Sequence, residues 1–181
     1  MKLSLNKSKI LSLIYKLLIA GSIILVDLLT KSFFQSYFVD GDRDPIVIID
    51  KVISFVYVKN TGAAFGIFSD NAILLAIFSI VFLVVFLIFD IFAGSKNIWY
   101  MLGFSFILGG AIGNMVDRIA FNFVRDFIYL DFMSWFPVFN IADIFLTVGV
   151  ICFSVYILFY MFKEEKKDDN KIVEDSKDKE E

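Results

Sequence analysis

Residues 109–143 read GGAIGNMVDRIAFNFVRDFIYLDFMSWFPVFNIAD, and this stretch decides the fold. It leaves one apolar run through Gly109 and Asn114, crosses a short polar connection, and enters the next apolar run at Asn140. Charged side chains beside or within a membrane are costly, so they indicate a functional site by default. The stretch contains several such candidates: Asp117, Arg118, Asp126 and Asp143.

The composition of the whole chain is that of an integral membrane protein. Hydrophobic residues make up 59% of the 181 residues, whereas a soluble domain carries closer to half. The chain has no His, which excludes Ser-His and Cys-His catalysis, and its only cysteine is Cys152. An internal disulfide and a zinc site built on cysteine are therefore excluded as well. Carboxylates remain as the strongest candidates for chemistry.

Four apolar runs approach or reach the length of about 20 residues that a bilayer requires. The first run follows a basic flank without acidic residues, which predicts a cytoplasmic N-terminus. We expect one mainly α-helical integral membrane domain over residues 1–162, with both termini cytoplasmic. A charged cytoplasmic tail, expected to be disordered, follows over residues 163–181. The predicted spans are residues 17–34, 72–89, 98–116 and 144–162.

Two connections lie outside the predicted spans on the extracytoplasmic side. Residues 35–70 contain segments 46–49 and 52–58, whose β-branched and aromatic side chains predict a small extracytoplasmic β element. Residues 119–137 are predicted as the second outside connection. In the third span, the spacing of Gly109 and Gly113 predicts close approach by a neighbouring helix.

Polar residues gather at the outer ends of all four predicted spans, and we expect no comparable set at the inner ends. Asp27 and Lys31 are four residues apart, a spacing at which helical side chains can pair. Asn140 and Asp143 fit a capping pair at a helix start. This convergence at one membrane depth predicts a site. The remaining polar residues at these ends are Asn60, Thr61, Asn114, Asp117, Arg118 and Asp126.

A pair of aspartates is the chemistry that this set of residues fits best. Two carboxylates that share one proton can activate a water molecule and protonate a leaving amine, since close like charges separate their pKa values. The residues alone do not decide between Asp117 and Asp126. Each candidate also has a structural interpretation: a helix-dipole acid for Asp143, an ion pair for Asp117 with Arg118, and structural support for Asp27 with Lys31.

Two other classes of function fit parts of the pattern. A metal-dependent lipid transferase would hold Mg²⁺ with Asp117, Asp126 and Asp143, although more basic residues would then be expected nearby for phosphate. A small transporter or channel component would use the polar residues as an ion relay. It would need polar side chains through the membrane, whereas the inner halves of the last three spans are nearly all apolar.

Five motifs, in this order, resemble those of bacterial lipoprotein signal peptidases (signal peptidase II), a family of four-span aspartyl proteases. The resemblance covers nearly the whole chain apart from its two ends. The motifs are Asp27-x-x-x-Lys31, Asn60-Thr61-Gly62-Ala63-Ala64-Phe65, Gly113-Asn114-x-x-Asp117-Arg118, Asp126-Phe127-Ile128 and Phe139-Asn140-Ile141-Ala142-Asp143.

The resemblance implies an enzyme that removes the signal peptide from diacylglyceryl-modified prolipoproteins, just before the lipid-modified cysteine. It implies that Asp126 and Asp143 are the catalytic pair, that Asp117 is structural, and that no metal or other cofactor takes part. The expected location is a bacterial cell membrane, with the active site near the extracytoplasmic face. The expected partners are the prolipoprotein and membrane lipids, without nucleic acid, and the expected state is a monomer. Further residues would bind substrate or order the site: Asp27, Lys31, Asn60, Gly62, Asn114, Arg118 and Asn140.

Arg125 departs from the family pattern, which usually has an apolar residue directly before the position of Asp126. An adjacent cation would lower the pKa of Asp126 if its side chain pointed inward. Because neighbours in an extended segment face opposite ways, we expect Arg125 to point toward lipid headgroups.

Overall fold

The structure is a computed structural model that describes residues 7–41, 43–62, 71–93 and 95–177, with side chains as far as Tyr160 except at Asp40 and Ala93. Within these residues, four helices are long and apolar enough to cross a membrane. The chain is therefore a multi-pass membrane protein, as predicted. The membrane-capable helices span Lys7–Val39, Ala72–Phe92, Ile98–Phe121 and Ile141–Tyr160.

All four helices extend beyond the predicted spans. Helix α1 is Lys7–Gln35, with a π-helical segment Ser36–Asp40 after it, and α2 is Ala72–Ala93. Helix α3 is Ile98–Phe121 and α4 is Ile141–Lys177. The sequence before residue 17 is rich in lysine and leucine, the sequence after residue 162 is rich in lysine and glutamate, and neither contains glycine or proline. Such residues favour helix, so the backbone continues where hydrophobicity ends. Helix α4 continues into the charged tail as far as Lys177.

The β element is a three-stranded antiparallel sheet in the order β1-β2-β3. Strands β1 (Ile46–Ile49) and β2 (Ile53–Asn60) confirm the two predicted segments. Strand β3 (Val124–Leu130) lies within the predicted connection over residues 119–137 and is an element that the sequence analysis did not predict. Its sequence VRDFIYL is rich in β-branched and aromatic residues, and it pairs with β2 over most of its length. The predicted Ala63-Ala64-Phe65 part of the second motif lies outside the described residues.

An aromatic cluster fixes the sheet to one end of the helical bundle, called here the sheet end. Phe34 of α1 stacks on Phe127 of β3 with ring centroids 4.3 Å apart, and it contacts Phe55 of β2 at 4.7 Å. Phe34 and Phe127 are both buried. Strand β3 therefore lies against α1, and this contact fixes the position of the residues on either side of Phe127 relative to that helix.

Glycines let α3 lie in close contact with both α1 and α4. A Cβ on Gly109 would lie 2.9 Å from Ile23 Cβ of α1, and one on Gly113 would lie 2.5 Å from an oxygen of Asp27. A Cβ on Gly110 would lie 2.5 Å from the carbonyl oxygen of Ala142 in α4. These separations confirm the predicted close approach at Gly109 and Gly113. Helix α3 is the most buried of the four, as its central position requires.

The opposite end of the bundle also carries a buried polar cluster, contrary to the prediction that polar residues gather only at the outer ends. Lys16 of α1 donates to both carboxylate oxygens of Asp90 in α2, at 2.5 and 2.6 Å. The Tyr100 hydroxyl of α3 donates to Asp90 at 2.9 Å, and Lys16 lies 4.8 Å from the ring centroid of Phe104. Lys16 looked like part of a solvated flank because the apolar run begins after it. The longer helix instead places it inside the bundle.

We expect Gly110→Ala to lower the free energy of unfolding by about 1–3 kcal/mol, because the new methyl group would force α3 and α4 apart. Gly21→Ala is the matched control, since a Cβ there meets nothing within 4 Å. That control should be neutral or more stable by about 0.5–1 kcal/mol, the ordinary advantage of alanine in a helix. Thermal unfolding of the purified variants in detergent measures both. Equal stability of the two variants would contradict the close packing at Gly110.

Candidate active site

The end of α3 and the start of α4 bring the two candidate carboxylates to one place. Asn122 ends α3 in the left-handed region, with φ 63°, and its N–H donates to the carbonyl of Arg118. The chain then turns into β3, which carries Asp126. Phe139 forms a short backbone bridge to Ile128 of the same strand. This bridge sets Asn140, and with it the first turn of α4, beside Asp126.

Asn140 contacts both carboxylates and is itself fully buried. Its side-chain amide donates to Asp126 Oδ1 at 2.6 Å. Its backbone N–H donates to Asp143 Oδ2 at 3.1 Å, while its side-chain oxygen accepts from the Asp143 N–H at 3.0 Å. This is the predicted capping pair, with reciprocal bonds at the start of α4. The same residue therefore caps a helix and holds Asp126 beside Asp143.

Asn114 of α3 completes the support of Asp143. Its amide nitrogen donates to Asp143 Oδ1 at 2.7 Å. Its amide oxygen accepts from Lys31 Nζ at 2.9 Å and from the Asn140 amide at 3.0 Å. The oxygen accepts from one cation and one amide, and the nitrogen donates to a carboxylate. The orientation of the Asn114 amide is therefore fixed by its partners.

Asn60 and Gly62 reach the site from the end of β2. The Asn60 amide donates to Asp126 Oδ2 at 2.8 Å, so each oxygen of Asp126 accepts one amide hydrogen bond. Asn60 pairs with Val124 in the sheet, which makes Asp126 its diagonal neighbour on the same face. The Gly62 carbonyl accepts from Arg118 at 3.2 Å. Both predicted residues are therefore at the site.

Asp27 and Lys31 form the predicted ion pair, with Lys31 Nζ 2.7 Å from Asp27 Oδ2 and both side chains fully buried. The other oxygen of Asp27 accepts from the backbone N–H of Ala142 at 2.9 Å. This backbone contact is in the first turn of α4, one residue before Asp143. No side-chain pattern marks a backbone donor, so this contact could not be predicted from the sequence.

The positions of Asp117 and Arg125 correct two predictions. Arg125 does not point toward lipid headgroups: it is buried, and its guanidinium donates to Asp117 at 2.6 Å. Asp117 therefore pairs with Arg125 rather than with its neighbour Arg118, because adjacent residues on a helix point in different directions. Both faces of β3 are covered here, which leaves no lipid-facing side for Arg125.

This arrangement separates Asp117 from the other two carboxylates. Asp117 is fully buried against Arg125, with Lys31 Nζ 3.6 Å away. The alternative of a magnesium site needs Asp117, Asp126 and Asp143 to converge on one ion. Among the described residues, no three acidic, cysteine or histidine side chains are grouped in that way. The geometry instead leaves Asp126 and Asp143 as a pair.

Burial controls the protonation of Asp126, which lies in β3 outside the membrane-spanning helices. Desolvation of the carboxyl group, followed by the negative charge of Asp143, raises the pKa of Asp126 to about 7. The amide hydrogen bonds from Asn60 and Asn140 act in the opposite direction and are weaker. Two adjacent carboxyl groups near neutral pH can therefore share one proton, as the sequence predicted for an acid and base pair.

A cavity of about 370 Å³ opens beside the pair, between α2, α3 and α4. Asp143, Asn114 and Arg118 form its polar end. Among the described residues, no acceptor lies within hydrogen-bond distance of Arg118 Nε. The apolar wall comes mostly from the N-terminal half of α2, with Leu75, Phe78 and Phe82, and is completed by Leu146 of α4. The cavity can thus take a ligand that is polar at one end and apolar along its length.

Comparisons with known proteins agree with this geometry. Residues 8–159 match the family model described as signal peptidase (SPase) II. The chain is 37% identical over 148 residues to the lipoprotein signal peptidase of Lactobacillus johnsonii, covering 82% of this chain and 94% of that one. It is 39% identical over 146 residues to that of Caldicellulosiruptor bescii, covering 81% and 91%. A solved bacterial membrane enzyme superposes with a TM-score of 0.70 at 31% identity, covering 79% of this chain and 87% of that one.

The raised pKa of Asp126 predicts that stability depends on pH. The folded protein holds this proton more tightly than the unfolded chain, in which the pKa is about 3.8. The resulting stabilisation is complete below that value and is lost as the pH rises through about 7. Asp126→Asn removes this dependence. Between about pH 5 and about pH 8, the variant should gain stability relative to wild type.

Thermal unfolding in detergent across this pH range measures the effect. Asp44→Asn, an exposed acidic residue of the loop before β1, serves as the control and should follow wild type. A constant difference in stability between Asp126→Asn and wild type at all pH values would contradict a raised pKa.

Proposed function

Because the chain belongs to the signal peptidase II family and removes signal peptides in lipoprotein maturation, we propose that Asp126 and Asp143 are its catalytic pair. The observation that carries this assignment is Asn140, which binds both carboxylates within 3.1 Å and holds them together. Asp117 is a structural residue of the same site, since Arg125 encloses its carboxylate. The substrate is a prolipoprotein with a diacylglyceryl-modified cysteine, which is cut just before that cysteine.

The reaction proceeds by acid and base catalysis on a peptide bond. Asp143, ionised, accepts a proton from a water molecule, whose oxygen attacks the carbonyl carbon, while protonated Asp126 gives its proton to the carbonyl oxygen. In the second step, the carbon–nitrogen bond of the tetrahedral intermediate breaks. One hydroxyl proton returns to Asp126, and the proton on Asp143 goes to the leaving amine. The pair again holds one proton at the end.

The surroundings of the pair support these roles. Asp143 accepts an amide hydrogen bond from Asn114 and one from the Asn140 N–H, which hold its carboxyl group in place beside Asp126. Burial raises the pKa of Asp126 to about 7, so a large fraction of the molecules carry its proton near neutral pH. Arg118 faces the cavity with an Nε that has no protein acceptor among the described residues, so it can donate to the substrate backbone.

The shape of the cavity supports a substrate that carries acyl chains. The carboxylate end is polar, and the α2 wall presents apolar side chains along the membrane. Helix α2 is also largely exposed to the membrane. We infer that the lipid-modified cysteine approaches laterally from the bilayer, with its acyl chains along α2 and its peptide bond at the carboxylates.

The orientation in the membrane follows from the same proposal. The sheet end is extracytoplasmic, because the basic residues at the N-terminal end of the chain, Lys2, Lys7 and Lys9, favour the cytoplasmic side for the opposite end. Both termini are then cytoplasmic, and the site lies near the outer face. We propose that residues 1–162 act as one monomeric domain in the bacterial cytoplasmic membrane, with residues 163–181 as an appended tail.

The catalytic pair is tested by substitution in purified protein. We expect Asp126→Asn and Asp143→Asn each to lower kcat by about 10²–10⁴-fold on a diacylglyceryl-modified prolipoprotein, because each removes one proton-transfer group. Folding of each variant is checked by thermal unfolding. Asp44→Asn should keep the wild-type rate.

A parallel series with and without a chelator separates this mechanism from a metal-dependent one. Cleavage should be unaffected by the chelator. If the chelator stops the reaction, or if folded Asp126→Asn cleaves at the wild-type rate, the assignment of Asp126 and Asp143 is wrong.

A further inference from the structure

Arg125 is a buried cation one residue before Asp126, and its contacts reach two helices. Its side chain donates to both oxygens of Asp117 in α3, at distances from 2.6 to 3.2 Å. One guanidinium nitrogen also donates to Gln35 at 3.1 Å and to Ser32 at 3.3 Å, both in α1. The backbone N–H of Arg125 donates to Asp117 as well, at 3.0 Å. The residue therefore ties the strand that carries Asp126 to two helices.

A chain of contacts leads from Arg125 to Asp143. Arg125 forms an ion pair with the Asp117 carboxylate, and Lys31 Nζ lies only 3.6 Å from the same carboxylate. Lys31 is at the same time 2.9 Å from the Asn114 oxygen, and the Asn114 nitrogen donates to Asp143. Without Arg125, Asp117 would have Lys31 as its main cation. Lys31 would then be drawn from Asn114, whose amide oxygen would lose one of its two donors and keep only Asn140.

The charges at the site balance when the carboxylate pair holds one proton. Two carboxylates, Asp27 and Asp117, are paired with cations, and the pair itself carries one further negative charge. Three cations oppose these three charges: Lys31, Arg118 and Arg125. Lys59 lies opposite Arg125 in the sheet, but it is exposed and lies over the Phe123 ring. Removal of Arg125 alone leaves one uncompensated negative charge in this low-dielectric region.

We propose that Arg125 is a positioning residue for the Asp126–Asp143 pair, and that it acts through Asp117, Lys31 and Asn114. It keeps Lys31 on Asn114 and supplies the third positive charge of the site. The proposal rests on Asp126 and Asp143 being the catalytic pair. It goes beyond that assignment because it gives a role in the reaction to a residue that does not contact the reacting atoms.

The test measures kcat, KM and the pH profile of prolipoprotein cleavage for Arg125→Met, Asp117→Asn and the double variant. In wild type, activity should fall as the pH rises through about 7, where Asp126 loses its proton. This fall is the alkaline limb of the pH profile. Arg125→Met removes a positive charge, so this limb should move up by about one pH unit. Asp117→Asn removes a negative charge, so the limb should move down. The double variant removes one charge of each sign and should return close to the wild-type profile.

The kinetic constants separate positioning from substrate binding. Arg125→Met should lower kcat by about 10-fold to 100-fold with little change in KM, because misplacement of the carboxylate pair affects the chemical step. Arg125→Lys keeps the charge and should retain the wild-type position of the pH limb. Arg43→Met, which replaces an exposed arginine near the Tyr37 ring, is the matched control and should behave as wild type.

A purely structural role for Arg125 predicts a different result. Thermal stability would fall, while kcat per folded molecule and the pH limb would stay at the wild-type values; that outcome overturns the proposal. If Arg125→Met does not fold, Asp117→Asn and the double variant carry the test, and identical pH limbs in those two would overturn it.

Asp126→Asn, measured in the same assay, keeps the proposal distinct from the assignment of the pair. Full activity in Asp126→Asn rejects the catalytic pair itself. An inactive Asp126→Asn together with a wild-type Arg125→Met rejects only the role of Arg125.

Discussion

The ion pair of Lys31 with Asp27 is the interaction on which the rest of the site depends. Both side chains are fully buried, where an isolated charge would be very costly, so each requires the other. Each of the two side chains also makes a contact with another helix. Lys31 holds the amide of Asn114, and Asp27 accepts the backbone N–H of Ala142. One pair in α1 therefore positions a residue of α3 and the first turn of α4, the two supports of Asp143.

Glycine makes this pair compatible with the packing of the bundle. Gly113 lies against Asp27, and any side chain there would occupy the space of the carboxylate. Gly110 one turn earlier allows α4 to approach so closely that the backbone around Ala142 reaches Asp27. The polar contacts of Asp27 thus depend on the close packing of the helices at these glycines. A change that moves α4 by a fraction of an ångström also moves Asp143.

The sequence predicted much of this structure because several signals were local. Apolar length located four helices, and helical spacing identified the Asp27–Lys31 pair and the Asn140–Asp143 cap. Other features depend on contacts between distant parts of the chain. Arg125 looked lipid-facing because alternation in a strand does not tell which faces the tertiary structure covers. Lys16 looked solvated because its partner Asp90 is 74 residues away. The choice of Asp126 over Asp117 came from the family resemblance, since both are aspartates near the same helix end.

Asn140 has a consequence for the biosynthesis of the protein. Its contacts join α4 to residues supplied by α3 and by β3, and the support of Asp143 extends through Asn114 to α1. The carboxylates are thus brought together only when the last helix lies in its final position. A nascent chain with its first three helices in the bilayer contains Asp126 but lacks its partner. If Asp126 and Asp143 are the catalytic pair, as proposed, such a chain lacks one of its two proton-transfer groups until the fourth helix is added.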